Sequence, residues 1–290
     1  MNTVEPAATG QVKMDRSLLR EQEPLAAPEI AAATAVPLAK FHLRWRNALL
    51  GIGTMAFFLL LWELAPALEL VNPLFSSSPS RIFVAAQWLF ANGLWYDIGV
   101  STSEFALGFG LAVVIGIPVG VALGWYPTLR AMFEPMVMAL YSVPRVALVP
   151  LLILWLGIGL ESKVAVVFLG VVFSIVVSVT SGMGTADGVL VRCARAFGAS
   201  ERQVLWTVVL PGSVPFIITG LRLGVGRGLI GIVVGEMVAS QAGIGHMMAR
   251  AGATFQTDKV FVGVILLAIF GLLMSSSFQW LESRVDAWRR

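Results

Sequence analysis

The chain has 290 residues, of which 57% are hydrophobic and only 13% are charged, with a net charge of +3 and a mean hydropathy of +0.83. Soluble domains carry about 25% charged residues, so this composition excludes an ordinary soluble protein and gives no reason to expect a nucleic-acid partner. Apolar helices of about 20 residues, each long enough to cross the hydrocarbon of a lipid bilayer, are the expected unit. The sequence therefore predicts an all-α, polytopic membrane protein.

The first 40 residues differ from the rest of the chain. They are rich in alanine, proline and charged residues and have no apolar periodicity, which predicts a disordered tail. We expect no cleavable signal peptide, because the first apolar stretch begins near residue 48 and is long enough to be a span. The predicted domains are the tail, residues 1–40, and a transmembrane domain, residues 41–290.

Six apolar stretches follow the tail, so about six transmembrane helices are expected. The third stretch has 27 residues and contains Pro135, Pro144 and Pro150, which predicts a kinked or broken helix. The predicted spans cover residues 48–68, 103–124, 131–157, 164–181, 214–240 and 260–280.

The basic residues are distributed unevenly between the two sides that these spans define. With the N-terminus inside, the inner segments carry thirteen Lys and Arg residues and the outer segments carry four. Because such an excess marks the cytoplasmic side, both termini and the segment between the fourth and fifth spans are predicted to be cytoplasmic. On the outer side, the stretch from Ala239 to Phe255 predicts a short re-entrant or surface helix.

The segment CARAFGASERQVLWTVVLP, from Cys193 to Pro211, is polar and partly basic between two apolar runs. Gly198 is placed to end a short helix in a left-handed conformation, and Ser200 with Gln203 has the spacing of a capping box that begins a second helix. The pattern predicts a bent pair of helices on the cytoplasmic surface. The alternative function of this pair is contact with anionic lipid headgroups, through its arginines Arg192, Arg195 and Arg202.

The spacing within this segment is similar to a known one. Ala194 is followed after three residues by Gly198, and then after nine residues by Val208, with Leu210 and Pro211 close behind. This pattern resembles the EAA loop of ATP-binding-cassette (ABC) importer permeases. The phrases SSSPSRIFVAAQWLFANG, LGFGLAVVIGIPVG, VPRVALVPLLILWLGIG and ITGLRLGVGRGLIGIVVGEM, in this order, look like the nitrate, sulfonate and taurine branch of that family.

The resemblance covers roughly residues 45–288 and implies a type I ABC importer permease fold with cytoplasmic coupling helices. In that family the loop, about residues 187–211 here, docks on a separate ATPase subunit. The implied assembly lies in the inner membrane of a bacterial cell and contains two ATPase subunits that hold ATP and Mg, a second copy of the permease and an extracytoplasmic solute-binding protein. The residues implied to couple ATP hydrolysis to transport are Arg192, Cys193, Ala194, Arg195, Phe197, Gly198, Ala199, Ser200, Leu210 and Pro211.

Two residues depart from the family pattern. Arg192 stands where the family has glutamate, and Cys193 stands where it has the first alanine. The charge at the head of the coupling helix is therefore reversed. We expect an acidic side chain opposite Arg192 on the ATPase, because arginine and carboxylate form charge-assisted hydrogen bonds.

Several kinds of chemistry are absent from the sequence. None of the four lysines follows a glycine, so the chain lacks the G-x-x-x-x-G-K-[ST] loop that holds nucleotide phosphates. The two histidines, His42 and His246, are too few and too far apart for a zinc site or a catalytic triad. We therefore expect no enzyme activity, no metal and no cofactor in this chain, with ATP hydrolysis on a partner subunit.

Three arginines, Arg145, Arg222 and Arg227, fall within predicted spans, where an unpaired arginine costs about 2.5 to 3.5 kcal/mol on insertion scales. Arg222 is predicted to lie near the midplane. One hypothesis places these arginines, together with Glu236, along the path of a small oxyanion. The alternative is a structural role for each arginine, as an ion pair or as a helix-end cap, with Glu104, Glu134 and Glu236 as candidate partners.

Two further patterns have structural explanations. Ser101 and Glu104 have the spacing of a capping box, expected at the start of the second span. Glycines four residues apart form stripes that favour close packing of helices within the subunit, with a pore-lining or dimer-contact role as the alternative. These stripes are Gly116, Gly120 and Gly124 in the second span and Gly220, Gly224 and Gly228 in the fifth.

The preferred hypothesis is the permease subunit of an ATP-driven ABC importer for a small anionic solute, such as nitrate, a sulfonate or taurine. The alternative from another class is a stand-alone secondary transporter or channel, with which the broken third span is compatible. A membrane scaffold whose loop recruits another protein is a third hypothesis. The sequence leaves the solute open, bicarbonate and small aromatic or heterocyclic compounds included.

Overall fold

The computed structural model describes residues 46, 49–72, 75–185 and 188–288. The predicted tail, residues 1–40, lies outside this part of the chain. The described chain is helical, as predicted. Its helices are α1 (Leu49–Ala67), α2 (Pro79–Ala91), α3 (Leu94–Trp125), α4 (Pro127–Ser142), α5 (Val149–Leu156), α6 (Leu160–Met183), α7 (Gly188–Ala196), α8 (Glu201–Val204), α9 (Leu210–Ala239), α10 (Ile244–Ala253) and α11 (Thr257–Trp288). A 3-10 turn, Arg145–Leu148, precedes α5, and a π-helical segment, Leu205–Val209, joins α8 to α9.

Five helical stretches of the described chain are long and apolar enough to cross a membrane. They are Leu49–Ala67, Leu94–Trp125, Leu160–Met183, Glu201–Ala239 and Thr257–Arg284. The pair Pro127–Ser142 and Arg145–Leu156 passes the same test together, and its two halves are bent by 85°. Counted as one span, this pair gives the predicted six, and it confirms that the third is broken.

Proline chemistry explains the break after α4. Pro144 has no amide hydrogen, and its ring disfavours helical backbone at the residue before it. Val143 is accordingly extended, with φ −66° and ψ 130°. Pro135 lies inside α4 without ending it, and Pro150 lies in the first turn of α5, where a missing N–H group is tolerated.

Helix α3 begins earlier than the predicted second span. It starts at Leu94 after Gly93, whose φ of 100° is left-handed, nine residues before the predicted start at Ser103. The predicted capping box of Ser101 and Glu104 is therefore wrong, because both residues lie inside the helix and both are buried. They look like a solvent-facing helix start in the sequence, but their partners are side chains of other helices.

Helix α6 packs against both α3 and α9. One row of its side chains, spaced four residues apart, is fully buried and consists of Val167, Val171, Ile175 and Val179. The glycine stripes face this row, since Gly116 contacts Ile175, Gly120 contacts Val179 and Gly224 contacts Val171. The predicted role of these glycines in packing within the subunit is confirmed.

Gly108 and Gly110 of α3 provide a matched test of this packing. A Cβ atom added at Gly108 would lie 2.6 Å from the Cβ of Val167 and 2.8 Å from the carbonyl oxygen of Val164, whereas one at Gly110 would meet nothing within 4 Å. We expect Gly108→Ala to destabilise the fold by about 1–3 kcal/mol through overpacking. Gly110→Ala should be neutral or stabilising by roughly 0.5–1 kcal/mol, since alanine favours helix. Unfolding midpoints in detergent micelles compare the two, and equal midpoints would contradict close packing at Gly108.

Candidate functional site

The segment from Gly188 to Pro211, called the elbow below, contains every residue predicted to couple to an ATPase. Its first helix, α7, ends in a Schellman motif. The amide of Gly198 donates to the carbonyl of Arg195, and the amide of Ala199 donates to the carbonyl of Ala194, both at 3.0 Å. Gly198 has a φ of 80°, which glycine adopts without steric cost. The predicted left-handed helix end at Gly198 is confirmed.

The second helix of the elbow begins with the predicted capping box. The amide of Gln203 donates to the hydroxyl of Ser200 at 3.4 Å, and the amide of Ser200 donates to the Gln203 side chain at 2.8 Å. Two backbone donors at this helix start are satisfied in this way. Gly198 and Ser200 thus fix the bend from both sides, within three residues of chain.

The two faces of the elbow differ in exposure. Ala194 and Ala199 pack against the main hydrophobic core, and their small size lets the elbow lie close to it. On the opposite face Phe197 is 92% exposed, and Arg192 and Cys193 are exposed as well. An apolar ring exposed to this extent beside polar residues is available for contact with another protein or with the membrane surface.

An ion pair joins the two helices across the bend. Nε and Nη2 of Arg195 donate to the two carboxylate oxygens of Glu201 at 2.9 and 3.0 Å. These hydrogen bonds and the negative charge of Glu201 raise the pKa of Arg195 above its ordinary value. Because both side chains are more than half exposed, the pair adds little to stability, and its effect is to orient α7 relative to α8.

The elbow continues without a break into a membrane span. Helix α8, the π-helical segment and α9 form one stretch of 39 residues, Glu201–Ala239. Leu210 and Pro211 begin α9 directly after the π-helical segment, a kind of insertion that is often found at functional positions. A displacement of the elbow therefore acts directly on the longest apolar helix of the described chain.

Two of the four charged residues predicted along a path have partners within the protein. Arg222 forms a salt bridge with Glu282 of α11 at 3.3 Å. Glu236 is 1% exposed and accepts hydrogen bonds from the hydroxyl of Ser101 and the amide of Gly245, both at 2.6 Å. Both residues therefore tie helices together.

The other two, Arg145 and Arg227, meet at Tyr141. Their guanidinium carbons lie 5.3 and 4.3 Å from the centre of the Tyr141 ring. Nη2 of Arg145 donates to the Tyr141 carbonyl at 2.8 Å, and Arg227 donates to the Tyr141 hydroxyl. In the part of the chain that the structure describes, neither arginine forms a salt bridge with an acidic side chain.

The acids predicted as partners of these arginines bind elsewhere. Glu104 forms a buried salt bridge with Lys163, and Glu134 forms one with Arg130, four residues before it, at 3.0 Å. The predicted pairing of the intramembrane arginines with Glu104, Glu134 or Glu236 is therefore wrong for the described residues. Lys163, one residue before the predicted fourth span, lies buried in the first turn of α6.

Three of these partners, Tyr141, Lys163 and Glu282, received no role from the sequence. No helix spacing marks Tyr141 as a partner of Arg145, because α4 ends at Ser142 and Val143 is extended between them. No local signal marks Glu282, which lies 60 residues from Arg222. Among the residues that the structure describes, no three His, Cys, Asp or Glu side chains are grouped as a metal site requires.

Comparisons with known proteins agree with these features. The family model described as "Binding-protein-dependent transport system inner membrane component" matches residues 112–287. The taurine transport system permease protein TauC of Escherichia coli (strain K12) is 35% identical over 254 residues, 84% of this chain and 92% of TauC. The aliphatic sulfonates transport permease protein SsuC of Bacillus subtilis (strain 168) is 31% identical over 240 residues, 82% of this chain and 87% of SsuC.

A solved structure shares the fold. A chain of the MetNI methionine ABC transporter, in an inward-facing conformation, superimposes with a TM-score of 0.56 at 22% sequence identity. The superposition covers 68% of this chain and 96% of that chain. At this level of identity the likeness concerns the fold alone, and the fold agrees with the predicted type I importer permease architecture.

Proposed function

This chain belongs to the family of binding-protein-dependent transport system inner membrane components, and from that membership we propose that it is the membrane-spanning subunit of an ATP-driven importer for a small anionic solute. It is a multi-pass inner membrane protein of a family whose members are transport subunits rather than enzymes. ATP and Mg are bound by a partner ATPase, and the energy of hydrolysis reaches this chain through the elbow.

The observation that carries this proposal is the construction of the elbow. Its bend is fixed by the Schellman motif at Gly198 and the capping box at Ser200, its outer face carries the exposed Phe197, and its second helix is continuous with α9. A rigid projection that offers an apolar contact and connects directly to a span can transmit a displacement. An elbow that only contacted lipid headgroups would not need to be continuous with a membrane span.

We assign the coupling surface to Arg192, Cys193, Arg195 and Phe197 on the exposed face. Ala194, Gly198, Ala199 and Ser200 keep this face in position, and Leu210 and Pro211 join it to α9. The remaining partners are two ATPase subunits, a second copy of this chain, an extracytoplasmic solute-binding protein and the lipid of the membrane. Both termini, with the tail of residues 1–40, lie in the cytoplasm in this proposal.

The proposed solute class is a sulfonate. TauC and SsuC, which match more than four fifths of this chain, are named for taurine and aliphatic sulfonates. Taurine carries a sulfonate group, so the two names share one chemical group. A small molecule with this group is therefore the first solute to be tested.

The test is ATP-driven uptake into proteoliposomes that contain this chain with its partner ATPase and binding protein. We expect uptake of radiolabelled taurine or methanesulfonate that requires ATP, because in this proposal transport is driven by hydrolysis on the partner ATPase. Omitting the ATPase should abolish uptake. Uptake that persists without the ATPase would instead support a secondary transporter, the alternative with which the break between α4 and α5 is compatible.

A further inference from the structure

We propose that Arg145, Arg227 and Tyr141 form an intramembrane binding site for the sulfonate group, or a similarly small oxyanion group, of the solute. This inference rests on the proposed function, which it deepens by assigning the anion to two of the four charged residues considered. The other two, Arg222 and Glu236, bind protein groups.

The site lies at mid-depth of the helices. A Cβ atom added at Gly170 would lie 3.1 Å from the carbonyl oxygen of Arg227, and Gly170 is the eleventh of the 24 residues of α6. Arg145 begins the 3-10 turn at the break between α4 and α5. Inside a bilayer, non-helical backbone is tolerated where it is buried in protein or lines a water-filled cavity. Arg145 lines a cavity at this break, which is one of the two settings that the bilayer tolerates.

The two arginines converge on one small pocket. Both line a pocket of about 110 Å³, and both guanidinium groups contact the same Tyr141 ring. The rest of the lining is aliphatic, with Val149, Val166, Ile230 and Val234 among its residues. Because apolar walls lower the local dielectric constant, an anion in this pocket is attracted more strongly than at a water-exposed surface.

The hydrogen-bond donors of the site are incompletely used. Nε of Arg145 and Nη1 of Arg227 are buried and have no hydrogen-bond partner among the described residues. Guanidinium groups present a planar fork of donors that matches the oxygens of carboxylate, phosphate and similar oxyanions. An oxyanion would accept hydrogen bonds from these donors. It would also compensate the positive charges of Arg145 and Arg227, which form no salt bridge with the residues that the structure describes.

Tyr141 keeps the arginines in place between transport cycles. Its ring face attracts both guanidinium groups, its carbonyl accepts from Arg145 and its hydroxyl accepts from Arg227. These interactions are weaker than a full salt bridge. The arginines are therefore held without being neutralised, as a site that must bind and release an anion requires.

Arg222, an arginine with an acidic partner, serves as the comparison for Arg145 and Arg227. It lies five residues before Arg227 on the same helix, and its partner Glu282 is 3.3 Å away. The double variant Arg222→Gln, Glu282→Gln removes this pair without leaving an unpaired charge. It is the matched control for Arg145→Gln and Arg227→Gln.

The first experiment measures ATP-driven uptake of radiolabelled methanesulfonate and taurine in phosphatidylcholine proteoliposomes. We expect Arg145→Gln and Arg227→Gln each to reduce uptake about tenfold or more below saturation, the factor that corresponds to about 1.4 kcal/mol of lost binding. The control should remain within about twofold of the unmodified protein, because neither Arg222 nor Glu282 lines the pocket. Uptake that is unchanged in both single variants would overturn the site.

The second experiment measures binding without transport. We expect methanesulfonate to raise the unfolding temperature of the purified complex, and to do so in the control but not in Arg227→Gln. If Arg227→Gln fails to assemble, Arg227→Lys takes its place, because lysine keeps the positive charge but lacks the planar set of guanidinium donors. The complex with this variant should bind methanesulfonate more weakly than the unmodified complex. Equal stabilisation of all variants would overturn the proposal.

Two further outcomes separate this inference from its alternatives. If the unmodified complex takes up no sulfonate but methanesulfonate still stabilises it through Arg145 and Arg227, the site stands and the proposed function fails. If phosphatidylglycerol stabilises it through these arginines and methanesulfonate does not, the oxyanion is a lipid headgroup and the inference is overturned.

Discussion

Replacing Gly198 with valine is expected to reduce ATP-driven uptake strongly while leaving the transmembrane helices folded. Gly198 has a φ of 80°, a region that costs other residues about 1–2 kcal/mol and β-branched residues more. A Cβ atom at this position would meet nothing within 4 Å. The loss would therefore come from the backbone, because the Schellman motif opens and Phe197 changes position. We expect uptake and solute-stimulated ATP hydrolysis to fall by at least about tenfold.

The control for this experiment is Gly198→Asn. Asparagine tolerates the left-handed conformation better than other non-glycine residues, so this variant should retain most of the coupling. Co-purification of the ATPase separates two causes of failure. If the ATPase still co-purifies but transport is lost, the elbow transmits the energy of ATP hydrolysis to the membrane helices. If the ATPase no longer co-purifies, the elbow only recruits it. Full transport by the valine variant would contradict both roles.

Replacing Lys163 with methionine is expected to give the largest loss of stability. Lys163 and Glu104 are 7% and 3% exposed and form a salt bridge between α6 and α3. Removing one partner of a buried pair typically costs about 3–5 kcal/mol, because the remaining charge has no compensation. Lys163 also donates to the hydroxyl of Ser240 at 3.0 Å, so the variant loosens the end of α9 as well. Unfolding midpoints in detergent micelles measure the effect.

The double variant Lys163→Met, Glu104→Gln tests the reason for that loss. With both charges removed, much of the stability should return, since neutral replacements for a buried pair often cost little. Recovery in the double variant would attribute the loss to the uncompensated Glu104 charge. If the double variant is as unstable as the single one, the pair is not the cause and the packing of the lysine side chain is.

The elbow and most of the spans could be predicted because their causes are local. The helix end at Gly198 and the capping box of Ser200 and Gln203 depend on residues within a few positions of one another. The break after α4 follows from Pro144 alone. Apolar length identifies a span without knowledge of its neighbours.

The polar contacts inside the bundle could not be predicted because their causes are distant. Arg222 and Glu282 are 60 residues apart, and Ser101 and Glu236 are 135 apart, so each pair exists only once the helices have packed. The start of α3 was missed for the same reason. Its polar residues suggest a water-exposed end, although Ser101 and Glu104 are buried against other helices.

The closeness of α6 to its two neighbours limits which parts of the molecule can move. At Gly108 and Gly170, helix backbones approach so closely that an added methyl group would touch a carbonyl oxygen of the facing helix. Tightly packed surfaces of this kind switch between discrete arrangements and do not deform continuously. In the proposed transport cycle, helices α3, α6 and α9 should therefore move together as one rigid group. The change of shape is then expected in the connections outside this group, of which the bend between α4 and α5 is one.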